Sequence, residues 1–115
     1  MPAEFSLRTR EFGDLRAIEA TVQLLLSKFP VEQITLYGSK VSGQDTEESD
    51  IDLLLLTQYP LSWQERDAIT DALFELELTY NVVISTLIVA SEQWMTRHYR
   101  LLPIHKEIDQ QGVAV

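Results

Sequence analysis

The chain has 115 residues, 45% of them apolar, and a formal net charge of −9. That suits a single domain over residues 1–115 with one core. It argues against tight, direct nucleic-acid binding, which relies on clustered Lys and Arg, whereas the nine basic residues here are scattered. No run reaches the ~18 apolar residues of a membrane span, no apolar signal core opens the chain, and no cysteine is available for a disulfide, a thiolate metal site or a nucleophile. A cytoplasmic protein without a membrane partner is expected. One local exception to the acidic balance is a small basic face from Arg97, Arg100, His105 and Lys106.

Residues 1–13 are read as an N-terminal extension whose order the pattern does not define. Asp14 is placed as a helix N-cap. Leu15, Ile18, Val22, Leu25, Leu26 and Phe29 follow helical spacing, and Pro30 stops the helix at Phe29. A short apolar run, Ile34 to Tyr37, reads as a strand that stops at Gly38, and Ile51 to Leu56 reads as a second strand. Ser62 and Glu65 form a capping-box pattern that opens a long helix to Thr79, with Ile69, Ala72, Leu73, Leu76 and Tyr80 on one face. Trp63 near its start is read as a packing residue, and Asn81 ends the helix. Val82 to Val89 is rich in β-branched residues and reads as a third strand. Ser91 is placed as the cap of a short helix holding Trp94, Met95 and Tyr99. Pro103 breaks it, and a further helical turn from Ile104 to Gln111 closes at Gly112. His98 and His105 are read as surface or packing residues. Alternating strands and helices indicate an α/β domain.

The chemistry concentrates between Leu36 and Leu56. Gly38 lets a backbone approach a ligand closely. Ser39 opens a turn of helix whose unpaired N–H groups, with its own hydroxyl, suit phosphate oxygens. Gly43 keeps the next turn uncrowded. Asp50 and Asp52 are two apart on a strand, so they share one face, with Ile51, Leu53 and Leu55 on the other. Paired carboxylates are hard oxygen ligands of the kind Mg²⁺ takes, usually together with substrate phosphates. The acidic loop Gln44 to Ser49 between the two halves is read as solvated.

Gly38-Ser39, ten residues, then Asp50-x-Asp52 resembles the signature of the DNA polymerase beta nucleotidyltransferase superfamily. In length the chain is similar to its minimal nucleotidyltransferase (MNT) branch. The resemblance runs from about Leu24 to the C-terminus. It implies a palm-like α/β (α+β) fold: a small mixed sheet with helices packed on one face and the site on the open side. It implies Gly38, Ser39, Lys40 and Gly43 as nucleotide-binding residues, and Asp50 and Asp52 as metal-binding and catalytic. The implied cofactor is Mg²⁺ and the implied substrate ATP, with nucleoside monophosphate transferred to a hydroxyl. Longer relatives carry an acceptor domain for which this chain has no room, so a separate protein is the expected acceptor. MNT proteins are commonly encoded beside HEPN RNase toxins, which implies an antitoxin that adenylylates a tyrosine of a HEPN partner in a hetero-oligomer.

The chain departs from the family pattern at three places. The third carboxylate, usual on the strand after the long helix, is missing, and Ser85 stands there by position. Lys40 and Ser42 occupy positions that are often Arg. A positioned base contributes ~10²–10⁴-fold in rate, so its loss raises the barrier by roughly 3–5 kcal/mol. Glu75, Glu77 or Glu92 could reach the site from a helix, or a partner could supply the group. The rival reading is an antitoxin that neutralises by covering its partner, with a degraded nucleotide site. A weaker rival is an aminoglycoside-type nucleotidyltransferase, against which the missing acceptor domain counts.

Overall fold

A computed structural model describes residues 12–38, 41 and 50–115. Helix α1 spans Phe12–Lys28 and starts two residues before Asp14, so Asp14 lies inside the helix rather than capping it. Ala17, Ile18, Thr21 and Leu25 form its buried stripe, with the Thr21 hydroxyl donating to the Ala17 carbonyl at 2.8 Å. Leu26, expected on that face, is 47% exposed. Pro30 follows the helix as expected, and β1 (Val31–Tyr37) begins at once, earlier than the apolar run suggested.

Strand β2 (Ile51–Thr57) pairs antiparallel with β1, Tyr37 opposite Asp52 and Leu36 opposite Leu53. Helix α2 (Trp63–Tyr80) then crosses the sheet. Its start is the predicted capping box: the Glu65 amide donates to the Ser62 hydroxyl, and the Glu65 carboxylate accepts from the Ser62 amide. Its end is Asn81 in the left-handed region at φ 55°, with the Asn81 amide donating to the Glu77 carbonyl. Strand β3 (Ile84–Ala90) runs parallel to β2, Ser85 beside Asp52.

Three short helices follow: α3 (Ser91–Trp94), α4 (Arg97–Arg100) and α5 (Pro103–Gln111). Ser91 is the first helical residue of α3, after Ala90 at the cap position, and no side chain caps that end. Its hydroxyl bonds instead to the Glu32 carboxylate. Pro103 is the first residue of α5, where its missing N–H costs nothing. A two-residue strand absent from the sequence reading, β4 (Val113–Ala114), pairs antiparallel with β1. Gly112 permits that approach, because a Cβ there would come within 2.7 Å of the Thr35 methyl. The sheet order is β3-β2-β1-β4, mixed as the family resemblance implied.

Alternation along the strands splits the core into two layers. Ile34, Leu36, Ile51, Leu53 and Leu55 face α1 and α2, where Ile18, Leu25, Ile69 and Leu73 are buried with them. Each such side chain contributes roughly 1.5–3 kcal/mol when fully buried. Leu54, Leu56 and Val89 face the other way, against Trp94 and Ile108. The two long helices therefore occupy one face as expected, while α3–α5 cover part of the opposite face. His105 belongs to that second layer. It is buried, stacked on Trp94 with ring centroids 4.1 Å apart, and held by the Trp94 carbonyl and Asp109. That fits its packing role and removes it from the supposed basic face, where Arg97, Arg100 and Lys106 remain exposed. Trp63, expected to pack, is 70% exposed. No helix among the described residues is long and apolar enough to cross a membrane.

Candidate active site

Asp52 projects from the second face of the sheet and is partly buried there. Three residues form a row across neighbouring strands: Tyr37 on β1, Asp52 on β2 and Ser85 on β3. Asp50 stands one residue before β2, two positions from Asp52. Chain direction accounts for the convergence. Antiparallel pairing brings the end of β1 to the start of β2, and parallel pairing brings the start of β3 alongside. All the polar ends therefore meet at one rim of the sheet.

Gly38 follows β1 with φ at +80°, in a turn closed by the Val41 amide donating to its carbonyl at 3.1 Å. A Cβ on Gly38 would overlap the Asp52 carboxylate and lie 3.2 Å from its Cγ. The glycine of the first half-motif is thus packed directly against the second aspartate of the other half. Ser39, Lys40 and Gly43, the other expected nucleotide-binding residues, lie outside the described residues, as does the acidic loop.

The electrostatics follow from this crowding. Partial burial pushes the Asp52 carboxyl above its ordinary range, and the negative charges of Asp50 and then Glu107 push it the same way. The Tyr37 phenol is also raised, by burial first and then by Asp52 and Glu107. A cation between these groups would reverse both penalties. Among the described residues no three His, Cys, Asp or Glu side chains are grouped to hold a metal. The donor set does fit Mg²⁺, which binds through one or two carboxylates and completes its octahedron with water and phosphate oxygens.

Ser85 does not act as a bare replacement for an acid. Its hydroxyl donates to Asp50 Oδ2 at 2.8 Å. None of the three glutamates considered as substitutes is placed for the role. Glu77 Oε2 accepts from the Ile84 amide at 3.0 Å and so closes the start of β3. Glu75 is exposed on α2. Glu92 follows the far end of β3, and the strand alone separates Ser85 from Ala90 by roughly 16 Å. Besides Asp50, the acid that influences Asp52 is Glu107 on α5. Sequence reasoning missed both Glu107 and Tyr37. Tyr37 had a signal, since it immediately precedes Gly38. Glu107 had none, because its place depends on how α5 folds back over the sheet.

Comparison with known proteins shows the family and the fold. The family described as polymerase beta, nucleotidyltransferase, matches residues 19–101. A Methanocaldococcus jannaschii protein named as a protein adenylyltransferase, MJ0604, is 35% identical over 67% of this chain and 74% of its own length. Haemophilus influenzae MntA, also named as a protein adenylyltransferase, is 29% identical over 70% of this chain and 73% of its own. A solved toxin–antitoxin structure with AMP-PNP superposes with a TM-score of 0.57 at 17% identity, covering 86% of this chain and 69% of that one. A solved MntA–HpeT toxin–antitoxin structure with a tyrosine-to-alanine change gives 0.56 at 17% identity, covering 88% and 70%.

Proposed function

The chain belongs to the polymerase beta nucleotidyltransferase family and is a nucleotidyltransferase, and from that premise we propose that it is an antitoxin that moves AMP from ATP onto a hydroxyl of a partner toxin. The acceptor we assign is a tyrosine of a HEPN-type RNase. The observation that carries this reading is the Gly38 turn packed against Asp52, beside Asp50 on the same rim. A glycine turn and a carboxylate pair meet there. The named adenylyltransferase relatives and the toxin–antitoxin neighbours support the choice of AMP and of a toxin. The net charge of −9 suits docking on a basic, RNA-binding surface.

Asp50 and Asp52 would hold Mg²⁺ together with the triphosphate, and the metal supplies charge neutralisation at the reacting phosphate. The turn after Gly38, with Ser39, Lys40 and Gly43, would seat the phosphates. The acceptor oxygen bonds to the α-phosphorus as the bond to the bridging oxygen breaks. Pyrophosphate leaves with that electron pair, and the hydroxyl proton passes to water. Catalysis of this kind rests mainly on positioning and electrostatics, the roles assigned here to Asp50, Asp52 and the turn at Gly38.

A second reading, neutralisation by covering the toxin, is favoured by Ser85 in place of a carboxylate. One experiment separates the two. The double change Asp50→Asn with Asp52→Asn keeps both shapes and removes both charges. Under the transferase reading it abolishes transfer of labelled AMP while the complex still forms, since a stable interface is far larger than two residues. Full protection of cells by the double mutant at native expression, with no label moved by the wild type, would leave only the covering reading. Mg²⁺ with ATP should also raise the melting temperature more than either alone, because both ligands share one site.

A further inference from the structure

We propose that Ser85 is a positioning residue whose hydroxyl fixes the Asp50 carboxylate for metal binding. The proposal rests on Asp50 and Asp52 being the metal-binding pair. Asp50 precedes β2, and the first β2–β3 partners are Ile51 and Ile84. The ladder therefore holds the backbone at Ile51 and leaves the Asp50 side chain to be oriented by its own contacts. Ser85 supplies one from the neighbouring strand, 35 positions away in sequence, at 2.8 Å. Its Cα is in register with Asp52, so its own strand position points at the acid pair, while its proton goes to the outer member.

A hydroxyl acts differently here from the carboxylate usual at this position. It has one proton to give and no charge. Given to Asp50, that proton selects one carboxylate orientation and draws charge away from the repulsion with Asp52. A carboxylate at position 85 would put a third negative charge on the same rim. An alanine would leave Asp50 free to rotate toward water. Ser85 therefore acts on the metal through Asp50 and touches neither phosphate nor acceptor.

The test uses Mn²⁺ as the probe, titrated without nucleotide and read by the EPR signal of the free ion. Ser85→Ala should weaken Mn²⁺ binding about 10-fold, the lower end of what removing such an orienting partner costs. Ser85→Thr keeps the hydroxyl and should restore binding to within about twofold. Melting in EDTA, compared across the three proteins, separates this from a general loss of structure. Ser85→Ala should melt no more than a few degrees below the wild type, the net worth of one part-buried hydrogen bond. Wild-type Mn²⁺ affinity in Ser85→Ala, with affinity lost in Asp50→Asn, overturns the positioning role and leaves the proposed site standing. Failure of Ser85→Thr to restore binding overturns it as well. Unchanged Mn²⁺ affinity in Asp50→Asn removes the site itself and this role with it.

Discussion

Replacing Gly38 by alanine should damage the fold and the site by two separable routes. The first is backbone strain. Gly38 has φ at +80°, and a residue with a Cβ loses about 1–2 kcal/mol in the left-handed region. For a chain of this size that lowers the melting temperature by about 4–8 °C. The second is collision. The new Cβ would overlap the Asp52 carboxylate, 3.2 Å from Cγ. A carboxylate is the far end of a rotatable side chain, so it swings aside at little cost in stability but leaves the place where a metal would bind. Gly38→Ala should therefore lose Mn²⁺ binding more severely than its modest drop in melting temperature suggests. A double-mutant cycle isolates the two routes. Asp52→Ala removes the carboxylate and leaves only its Cβ, 3.4 Å from the new atom, in ordinary contact. In that background Gly38→Ala retains the strain cost alone, and the difference between backgrounds is the collision. That difference should be small, since the carboxylate can swing aside; unchanged Mn²⁺ affinity in Gly38→Ala would mean that the carboxylate does not lie over Gly38. An unchanged melting temperature would refute the strained turn.

Three further outcomes follow from particular residues. Asp52 has a raised folded-state pKa, so the native state keeps its proton to a higher pH than the unfolded chain does. Stability contributed by this group is therefore lost as pH rises from the ordinary carboxylate range through the raised value. Metal-free Asp52→Asn should be at least as stable as wild type at neutral pH, with the gap narrowing in acid; a loss of stability in EDTA would make Asp52 a structural acceptor. Trp94 is 4% exposed and stacked on His105, so Trp94→Ala should cost about 3–5 kcal/mol in urea denaturation, and a cost under about 1 kcal/mol would mean that α3–α5 do not pack as a layer. Asn81→Gly should be neutral or slightly stabilising at φ 55°, and Asn81→Ala should cost about 1 kcal/mol; the reverse order in thermal melts would contradict the left-handed cap.

Local pattern was sufficient for much of this molecule. Helical spacing located α1 and α2, the Ser62–Glu65 pair located the start of α2, an apolar run located β2, and a β-branched run located β3. Each of these signals arises from atoms a few residues apart, so the chain carries it before folding. The pleat places Asp52 on one face of β2, whereas Asp50, one residue before the strand, takes its orientation from the Ser85 hydroxyl. Periodicity also says which side of an element is apolar, but not what covers it. Leu54 and Leu56 lie on the same side of β2 as Asp52, yet they are buried, because α3–α5 return over that face. That return also buries His105, brings Glu107 toward Asp52 and lets β4 join the sheet.

Trp63 shows the converse, an apolar residue at a helix start that nothing in the described structure covers. Ser85 shows the distinction most clearly. Its place on the third strand was legible, and its lack of charge was plain. That its hydroxyl bonds Asp50 while its backbone stands beside Asp52 depends on the parallel register of β2 and β3. The sequence determined which groups carry charge and which face each one takes. Only the tertiary structure decided which of them meet, because register between distant strands is set by packing over the whole sheet and leaves no mark in any local stretch of sequence.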